Sequence, residues 1–296
     1  MEKKRFHIQK ILIPFDFSET AELALEHASF MAKLLKAEIM LLHVVESYSF
    51  ASAISQAFSK TQNEFETKVE AGAKERLQQI ADELHHRDGI VVKFRTDVGK
   101  IYKTIIHVAD EVDADLIVMG THGVSGFQEL LVGSNTYRVV SGANCPILSV
   151  QTHAKKIGFK DIVLPIDNSK ESRQKVLHAI ELAKYYKSVI HIAGIITMSD
   201  IEVQRRFEVK IHQVKEFIEK HEIPYTVKMF KGDNLATISM DYAYQINADL
   251  IIIMTEQELN STGLMMGSFA QQIVNHSKVP VLSVRPMISS DISVGY

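Results

Sequence analysis

Short apolar segments alternate with amphipathic ones along the first half of the chain. Residues 10–15 and 38–45 are mostly apolar runs, typical of strands buried in a parallel sheet. Between them, apolar residues recur at helical spacing from Ala21 to Leu35, and Ser18 is a good N-cap for such a helix. The pattern therefore predicts a strand, a helix with one buried face, and a second strand.

The alternation continues to about residue 150. It predicts a helix over residues 65–85, a strand over 90–96, a helix over 101–112, and strands over 115–119 and 146–150. This order of elements predicts an α/β fold whose parallel sheet is covered by helices on both faces. In such sheets ligands bind beyond the carboxyl ends of the strands, where we expect Asp16, Val44 and Gly120 to lie.

The chain repeats itself once. Three segments return in the same order: residues 11–18 as 162–169, 112–119 as 246–253, and 144–150 as 278–284. Ordered matches over half the chain length indicate two copies of one domain rather than a short-period solenoid. We predict tandem domains over residues 1–153 and 154–296, and the short polar linker between them favours packing of one copy against the other.

The two copies differ in length before the fourth strand. The repeat distance falls from 151 residues between Pro14 and Pro165 to 134 between Asp115 and Asp249, so the first copy has 17 additional residues. Residues 47–65 are the expected place for them and have a helical pattern. This segment is either a lid or partner-docking helix, or a packed surface helix, and the sequence leaves both open.

A glycine signature follows the predicted fourth strand. Gly120 and Gly123 stand three residues apart, and Gly133 and Ser134 come after nine more residues. Glycines adopt dihedral angles that other residues avoid, and successive N–H groups in such a loop can form an anion nest. Ser134 is expected to cap a helix whose N-terminus offers further N–H donors. The spacing favours a phosphate site, while two ordinary glycine turns remain the alternative.

Composition narrows the class of protein. The chain has 296 residues, of which 46% are hydrophobic and 23% charged, with a net charge of −3. This balance gives no electrostatic case for binding nucleic acid or an anionic membrane. No apolar run is long enough to span a bilayer, the first residues lack the apolar core of a signal peptide, and Cys145 has no partner for an intrachain disulfide. We therefore expect a cytoplasmic protein.

The order of these elements resembles the universal stress protein (UspA-like) family, here as a tandem two-domain member. The resemblance rests on residues 14–18, 43–45, 98–99, 119–123 and 133–134. The nucleotide-binding branch of that family has the pattern G-x2-G-x9-G-[ST], which the first copy matches without gaps. The resemblance implies a doubly wound, Rossmann-like three-layer sandwich of the adenine nucleotide α-hydrolase type. It also implies ATP as the ligand, with Mg²⁺ or Mn²⁺ as a companion ion.

Site residues carry over from the same resemblance. Asp16 and Val44 would meet the ribose and adenine, with the backbone of Pro14 in the same pocket. The residues implied for the ribose and phosphates are Gly120, Gly123, Gly133, Ser134 and Asn135, with Met119 beside them. A carboxylate accepts hydrogen bonds from a ribose or a base, which suits Asp16. Capping of the following helix is the alternative role of Asp16, and the two roles can coexist.

The second copy departs from this pattern. Met254, Gln257 and Phe269 stand where the first copy has Gly120, Gly123 and Asn135, whereas Pro165, Asp167, Gly267 and Ser268 are kept. Larger side chains would intrude where phosphates should lie. We predict that the second copy does not bind ATP, and that it serves as a pairing partner or as a pocket for another ligand.

Three functions follow from these observations. The first is an ATP-binding regulatory protein of the stress response. The alternatives are a nucleotide-free scaffold or small-molecule binder, and a slow ATPase. No P-loop lysine accompanies the glycines, and we assign no catalytic residue and no protein metal site.

The family also implies how the copies associate. Their last strands, over residues 146–150 and 280–284, are expected to pair the two domains into a pseudo-dimer and so cover exposed strand edges. Two chains can then associate further as a homodimer.

Overall fold

The computed structural model describes residues 7–46, 55–121, 133–197, 200–255, 257–260 and 263–286. The first repeat consists of β1 (Lys10–Pro14), α1 (Glu19–Leu35), β2 (Glu38–Glu46), α2 (Ser55–Asp88), β3 (Val92–Gly99), α3 (Ile101–Glu111), β4 (Leu116–Gly120), α4 (Ser134–Gly142) and β5 (Ile147–Val150). Strands and helices alternate throughout, as the apolar pattern predicts.

The second repeat follows the same order. It consists of β6 (Asp161–Ile166), a short 3-10 helix (Glu171–Arg173), α5 (Val176–Tyr186), β7 (Val189–Ile196), α6 (Ile201–Glu219), β8 (Tyr225–Lys231), α7 (Leu235–Gln245), β9 (Leu250–Met254), β10 (Gln257–Asn260), β11 (Gly263–Met266), α8 (Ser268–His276) and β12 (Val281–Val284). The hairpin of β10 and β11 was not predicted from the sequence.

Ten strands form one sheet in the order β3-β2-β1-β4-β5-β12-β9-β6-β7-β8. Pairing within each repeat is parallel, and the repeats join where β5 and β12 pair antiparallel, with Leu148 opposite Leu282. The predicted α/β fold and the pairing of the last strands are confirmed. Because the junction is antiparallel, the carboxyl ends of the two repeats' strands lie on opposite edges of the sheet.

Helices cover both faces of this sheet. One core packs α1, α2, α5 and α6 against one face, and the other core packs α3, α4, α7 and α8 against the opposite face. Successive residues of β1 pack on opposite faces of the sheet: Ile11 and Ile13 belong to the first core and Leu12 to the second. The apolar residues predicted to form one face of α1 are all buried, from Ala21 to Leu35.

The additional residues of the first repeat lengthen one helix. We predicted a separate helix before the long one, but α2 runs unbroken for 34 residues, against 19 in α6. Residues 47–54 lie outside the described part of the chain. The lid and docking roles of this insertion stay hypotheses. No helix in the described part of the chain combines the length and the apolarity that crossing a bilayer requires.

Candidate functional site

A cavity of about 340 Å³ opens at the carboxyl ends of β1, β2 and β4. It is lined by Pro14, Phe15, Asp16, Ala21, Leu42, Val44, Glu46, Ile101, Ile105, Met119, Gly120, Thr121, Gly133, Ser134, Asn135 and Thr136. Eight of the nine predicted site residues are in this lining. The ninth, Gly123, lies outside the described residues. The cavity falls within the range of about 300–1,000 Å³ that ligand pockets usually have.

Asp16 stands between the end of β1 and the start of α1. One of its carboxylate oxygens accepts hydrogen bonds from the backbone N–H (3.1 Å) and the hydroxyl (2.6 Å) of Ser18. The Ser18 hydroxyl in turn accepts from the N–H of Ala21, so Ser18 caps α1 as predicted. Asp16 thus supports the cap indirectly while it also lines the cavity, and the two roles considered for it are geometrically compatible.

Gly120 is required for close packing rather than for an unusual backbone. We expected a dihedral angle reserved for glycine, but Gly120 is not among the residues with positive φ. A Cβ atom placed on it would lie 2.8 Å from Cβ and 2.9 Å from the carbonyl carbon of Thr20. The missing side chain lets the first turn of α1 approach the end of β4, which closes one wall of the cavity.

The start of α4 forms the opposite wall. Gly133, not Ser134, is the N-cap, because the helix begins at Ser134 and the Gly133 carbonyl accepts the first helical hydrogen bond, from the N–H of Tyr137 (3.1 Å). The Gly133 N–H itself donates to the carbonyl oxygen of Thr121 (2.8 Å). The prediction that Ser134 caps this helix is therefore wrong, and Ser134 and Asn135 instead line the cavity from the first turn. The first N–H groups of a helix have no partner within it, so this wall presents donors to the cavity.

The charge of this lining is negative. Its described residues include two carboxylates, Asp16 and Glu46, and neither a lysine nor an arginine. Residues 122–132, whose structure is not described, also have no lysine or arginine in their sequence. Among the described residues no group of three His, Cys, Asp or Glu side chains is placed to hold a metal ion. A phosphate here would meet N–H and hydroxyl donors first.

The corresponding place in the second repeat is filled. The cavity there is only about 10 Å³, which is roughly the space of one water molecule. Its lining consists of Pro165, Ile166, Asp167, Ser169, Ser172, Lys175, Ile195, Leu235, Met254 and Phe269. The strand end and its aspartate are kept, so it is the neighbouring side chains that close the space.

Lys175 is the principal difference between the two sites. It is 2% exposed, and its Nζ donates to the carbonyl oxygen of Ser172 (2.9 Å). Burial alone would raise the pKa of the Asp167 carboxyl, but the charge of Lys175 and hydrogen bonds from Ser169 and Ser172 outweigh it, and the pKa is lowered. The buried ammonium of Lys175 thus stabilises the Asp167 carboxylate, in the role that a ligand group would have in an open site.

Met254 also closes the second site. It occupies the position of Gly120, is buried, and lines the small cavity. Glu171, the counterpart of Thr20, lies in the 3-10 helix, and α5 begins only at Val176. Since a side chain on Gly120 would collide with Thr20, a displaced helix start is what a methionine at this position requires.

Sequence reasoning missed Lys175 and Ser172. The repeat distance of 151 residues continues through α1 and α5, and it places Ser172 at the position of Ala21 and Lys175 at that of Ala24. Continuing the alignment past Ser169 would have shown a lysine on the buried face of a helix. That substitution was the available signal.

Comparison with known proteins agrees with this architecture. Residues 7–151 and 158–285 each match the profile of the Universal stress protein family. The chain belongs to the universal stress protein family. The two matches cover the two repeats, so the chain contains the family domain twice. Membership of this family gives the protein a stress-response role.

Individual relatives match half of this universal stress protein. The universal stress protein MJ0577 of Methanocaldococcus jannaschii is 33% identical over 154 residues, covering 48% of this chain and 94% of its own. The universal stress protein MJ0531 of the same organism is 31% identical over 150 residues, covering 50% of this chain and 85% of its own.

A solved structure spans both repeats. The crystal structure of a universal stress protein from Archaeoglobus fulgidus aligns with a TM-score of 0.72 and 21% identity, covering 96% of this chain and 99% of the other. At this identity the likeness shows the fold alone, including its two-repeat arrangement.

Proposed function

We propose that the first repeat is an ATP-binding regulatory site of a stress-response protein. The observation that carries the proposal is the cavity of about 340 Å³, which gathers eight of the nine residues implied by the family resemblance. A cavity of this size at the strand carboxyl ends is where α/β proteins bind nucleotides.

The lining offers separate environments for the parts of a nucleotide. Leu42, Ile101 and Ile105 form apolar walls on which an adenine ring can pack, and the backbone of Val44 at the end of β2 can read its edge. Asp16 can accept hydrogen bonds from the ribose hydroxyls. The first turn of α4, from Ser134 onward, then provides N–H donors for the phosphates.

We propose that a divalent ion accompanies the triphosphate. Two carboxylates and no cationic side chain among the described lining residues leave the charge of ATP largely unneutralised. Mg²⁺ typically binds through substrate phosphates and retained waters rather than through a protein cage. Mg²⁺ or Mn²⁺ bound to the phosphates fits a lining of this kind.

A regulatory role suits this lining better than hydrolysis does. Phosphoryl transfer usually relies on a lysine or arginine clamp and on a group that orients the attacking water. The described lining contains no lysine or arginine, and no residue of it is assigned to orient a water, so even an arginine that reached in from outside the lining would supply only part of this machinery. We propose that ATP acts here as a bound ligand, in a cytoplasmic protein with domains over residues 1–153 and 154–296, and that further association, where it occurs, is as a homodimer.

The first experiment is to denature freshly purified protein and chromatograph the small molecules that are released. We expect about one adenine nucleotide per chain, since the site at the strand carboxyl ends is open in the first repeat and closed in the second. Calorimetric titration of nucleotide-depleted protein with ATP and Mg²⁺ should return the same stoichiometry. Release of nothing, together with no heat of binding, would replace this proposal with the scaffold function.

A matched pair of variants ties the ligand to the cavity. Asn135→Phe introduces the residue that the second repeat has at this position, and should block ATP binding by filling the cavity. Phe230→Leu, on a strand of the second repeat, is the control and should leave binding unchanged. Unimpaired binding by the Asn135→Phe protein would place the nucleotide elsewhere.

A further inference from the structure

We propose that Arg138 binds the phosphate chain of the nucleotide and makes the first repeat prefer ATP over uncharged adenosine. This inference rests on the proposed function, because it names a residue that sets the specificity of the same site. Arg138 lies outside the cavity lining, and no glycine or phosphate motif includes it.

The position of Arg138 on α4 places it within reach. It follows Ser134 by four residues, which is about one helical turn, so the two residues share a face of the helix. Helical side chains lean toward the N-terminus of their helix, which for α4 is the wall of the cavity. A change of rotamer is sufficient to bring the guanidinium from the flank of α4 to the level of Ser134.

In the structure the guanidinium rests on an aromatic ring beside the cavity. Its Cζ atom is 4.8 Å from the ring centroid of Tyr102, in the first turn of α3. The neighbouring residue, Ile101, lines the cavity. Arg138 therefore spans from α4 to α3 at the mouth of the space between them, held by a cation–π contact that is weaker than a bidentate pair with phosphate.

Several other cations of the first repeat are paired, stacked or distant, whereas Lys100 and Lys103 are exposed near the start of α3. Arg95 pairs with Asp97 and Glu111, Lys33 pairs with Asp88, Arg76 stacks over Phe17, and Lys10 lies at the amino end of β1. No carboxylate of the described residues lies within 4.0 Å of the Arg138 guanidinium. Its charge is thus available to a ligand whose phosphates meet two carboxylates and no cation in the described lining.

The second repeat lacks this pair of residues. At the repeat distance of 134, Gln272 stands at the position of Arg138 and Ala236 at that of Tyr102. Arg138 and the Tyr102 ring on which it stacks are therefore present in the repeat whose strand-end site is open. They are missing from the repeat in which that site is closed. This difference points to a ligand-related role rather than a shared packing role.

The test compares ATP with adenosine by calorimetry in the full chain, with Mg²⁺ present. Arg138→Gln, which introduces the second repeat's residue, should weaken ATP binding about tenfold, as expected for one lost charge-assisted contact. Adenosine binding should be unchanged, because adenosine has no phosphate. Arg138→Lys should retain part of the preference, since an ammonium keeps the charge without the bidentate geometry.

Two control variants make the result specific. Lys103→Gln removes the same charge from the solvent-facing side of α3 and should leave both affinities unchanged. Lys100→Gln tests the exposed cation that precedes α3. Loss of the ATP preference in the Lys100 variant but not in the Arg138 variant would overturn the assignment, as would equal preference in the wild-type and Arg138→Gln proteins.

Failure of the proposed function has a different signature. A wild-type protein that binds neither adenosine nor ATP has no nucleotide site, and the role of Arg138 then falls with it. A wild-type protein that binds both ligands with equal affinity keeps the adenine site and removes only the role of Arg138. Thermal unfolding of each variant confirms that the compared proteins are folded.

Discussion

The two repeats share a scaffold and differ in what occupies one place on it. Asp16 and Asp167 follow equivalent strands and accept the same two hydrogen bonds, from the N–H and hydroxyl of Ser18 and Ser169. Yet one aspartate borders a cavity of about 340 Å³ and the other a cavity of about 10 Å³. A site can therefore be lost while its backbone frame is kept.

The difference is one of charge as well as volume. The first repeat presents carboxylates to an open space, whereas in the second the charge of a buried lysine, Lys175, lowers the pKa of the carboxylate. A buried ion pair needs both members, because a single buried charge without its partner is costly. The charged groups of the second site therefore stabilise the fold rather than bind a ligand.

The largest expected effect is on stability in the second repeat. Asp167→Ala leaves the Lys175 ammonium buried without its carboxylate and should lower the free energy of unfolding by about 3 kcal/mol. Asp16→Ala should cost only about 1 kcal/mol, through the weakened cap of α1, while it impairs ATP binding. Urea unfolding of both variants measures the difference, and equal destabilisation would mean that Lys175 does not depend on Asp167.

The next effect is a pH dependence that also differs between repeats. Burial lowers the pKa of His178 to about 4, from an ordinary 6.5. The unfolded chain therefore binds a proton before the folded one does, and stability is lost as the pH falls from 6.5 toward 4. The loss approaches about 3 kcal/mol at the acid end.

His27 is the counterpart of His178 and serves as its comparison. Burial also lowers the pKa of His27; a backbone hydrogen bond opposes the shift in both histidines, and at His27 the charge of Glu26 opposes it as well. Replacing His178 by Gln should flatten the pH dependence of the urea midpoint in this range more than His27→Gln does. An unchanged slope in the His178→Gln protein would show that this residue does not titrate with unfolding.

A smaller effect concerns the glycine at the end of β4. Gly120→Met copies the second repeat and forces a side chain against Thr20, so it should cost about 2 kcal/mol and abolish ATP binding. Unfolding and calorimetry together measure it. A variant that binds ATP normally would show that the first turn of α1 adjusts as freely as the 3-10 helix of the second repeat.

The smallest expected effect is that the second repeat gains no ATP binding when one of its bulky residues is removed. Phe269→Asn restores the first repeat's residue to the second, but Lys175 and Met254 still fill the space. The ATP stoichiometry should stay at about one per chain, as measured by calorimetry. A second binding event would mean that Phe269 alone closes the cavity.

Much of the fold could be predicted because buried strands are nearly continuous apolar runs. β1 and β4 match their expected bounds to within one residue at each end. β3 does not: it was expected over residues 90–96 and spans Val92–Gly99. It lies at the edge of the sheet, none of its residues is fully buried, and its middle consists of Arg95, Thr96 and Asp97, so its apolar signal is weak.

The site could be predicted only in part, for a physical reason. The glycine signature and the strand ends mark the frame, and the family resemblance implied the eight residues that line the cavity. Whether a cavity remains depends on side chains that enter from elsewhere. Lysine is almost never fully buried unless paired, so the alignment of Lys175 with Ala24 marks an unusual residue but does not show that it closes the second site.

The antiparallel joining of β5 and β12 has a consequence for how the molecule behaves on dilution. Two separate subunits paired through these strands would dissociate at low concentration and exchange partners with their neighbours. Two repeats in one chain hold each other at a high effective concentration whatever the amount of protein. One open and one closed site at the strand carboxyl ends is thus a fixed composition of every chain.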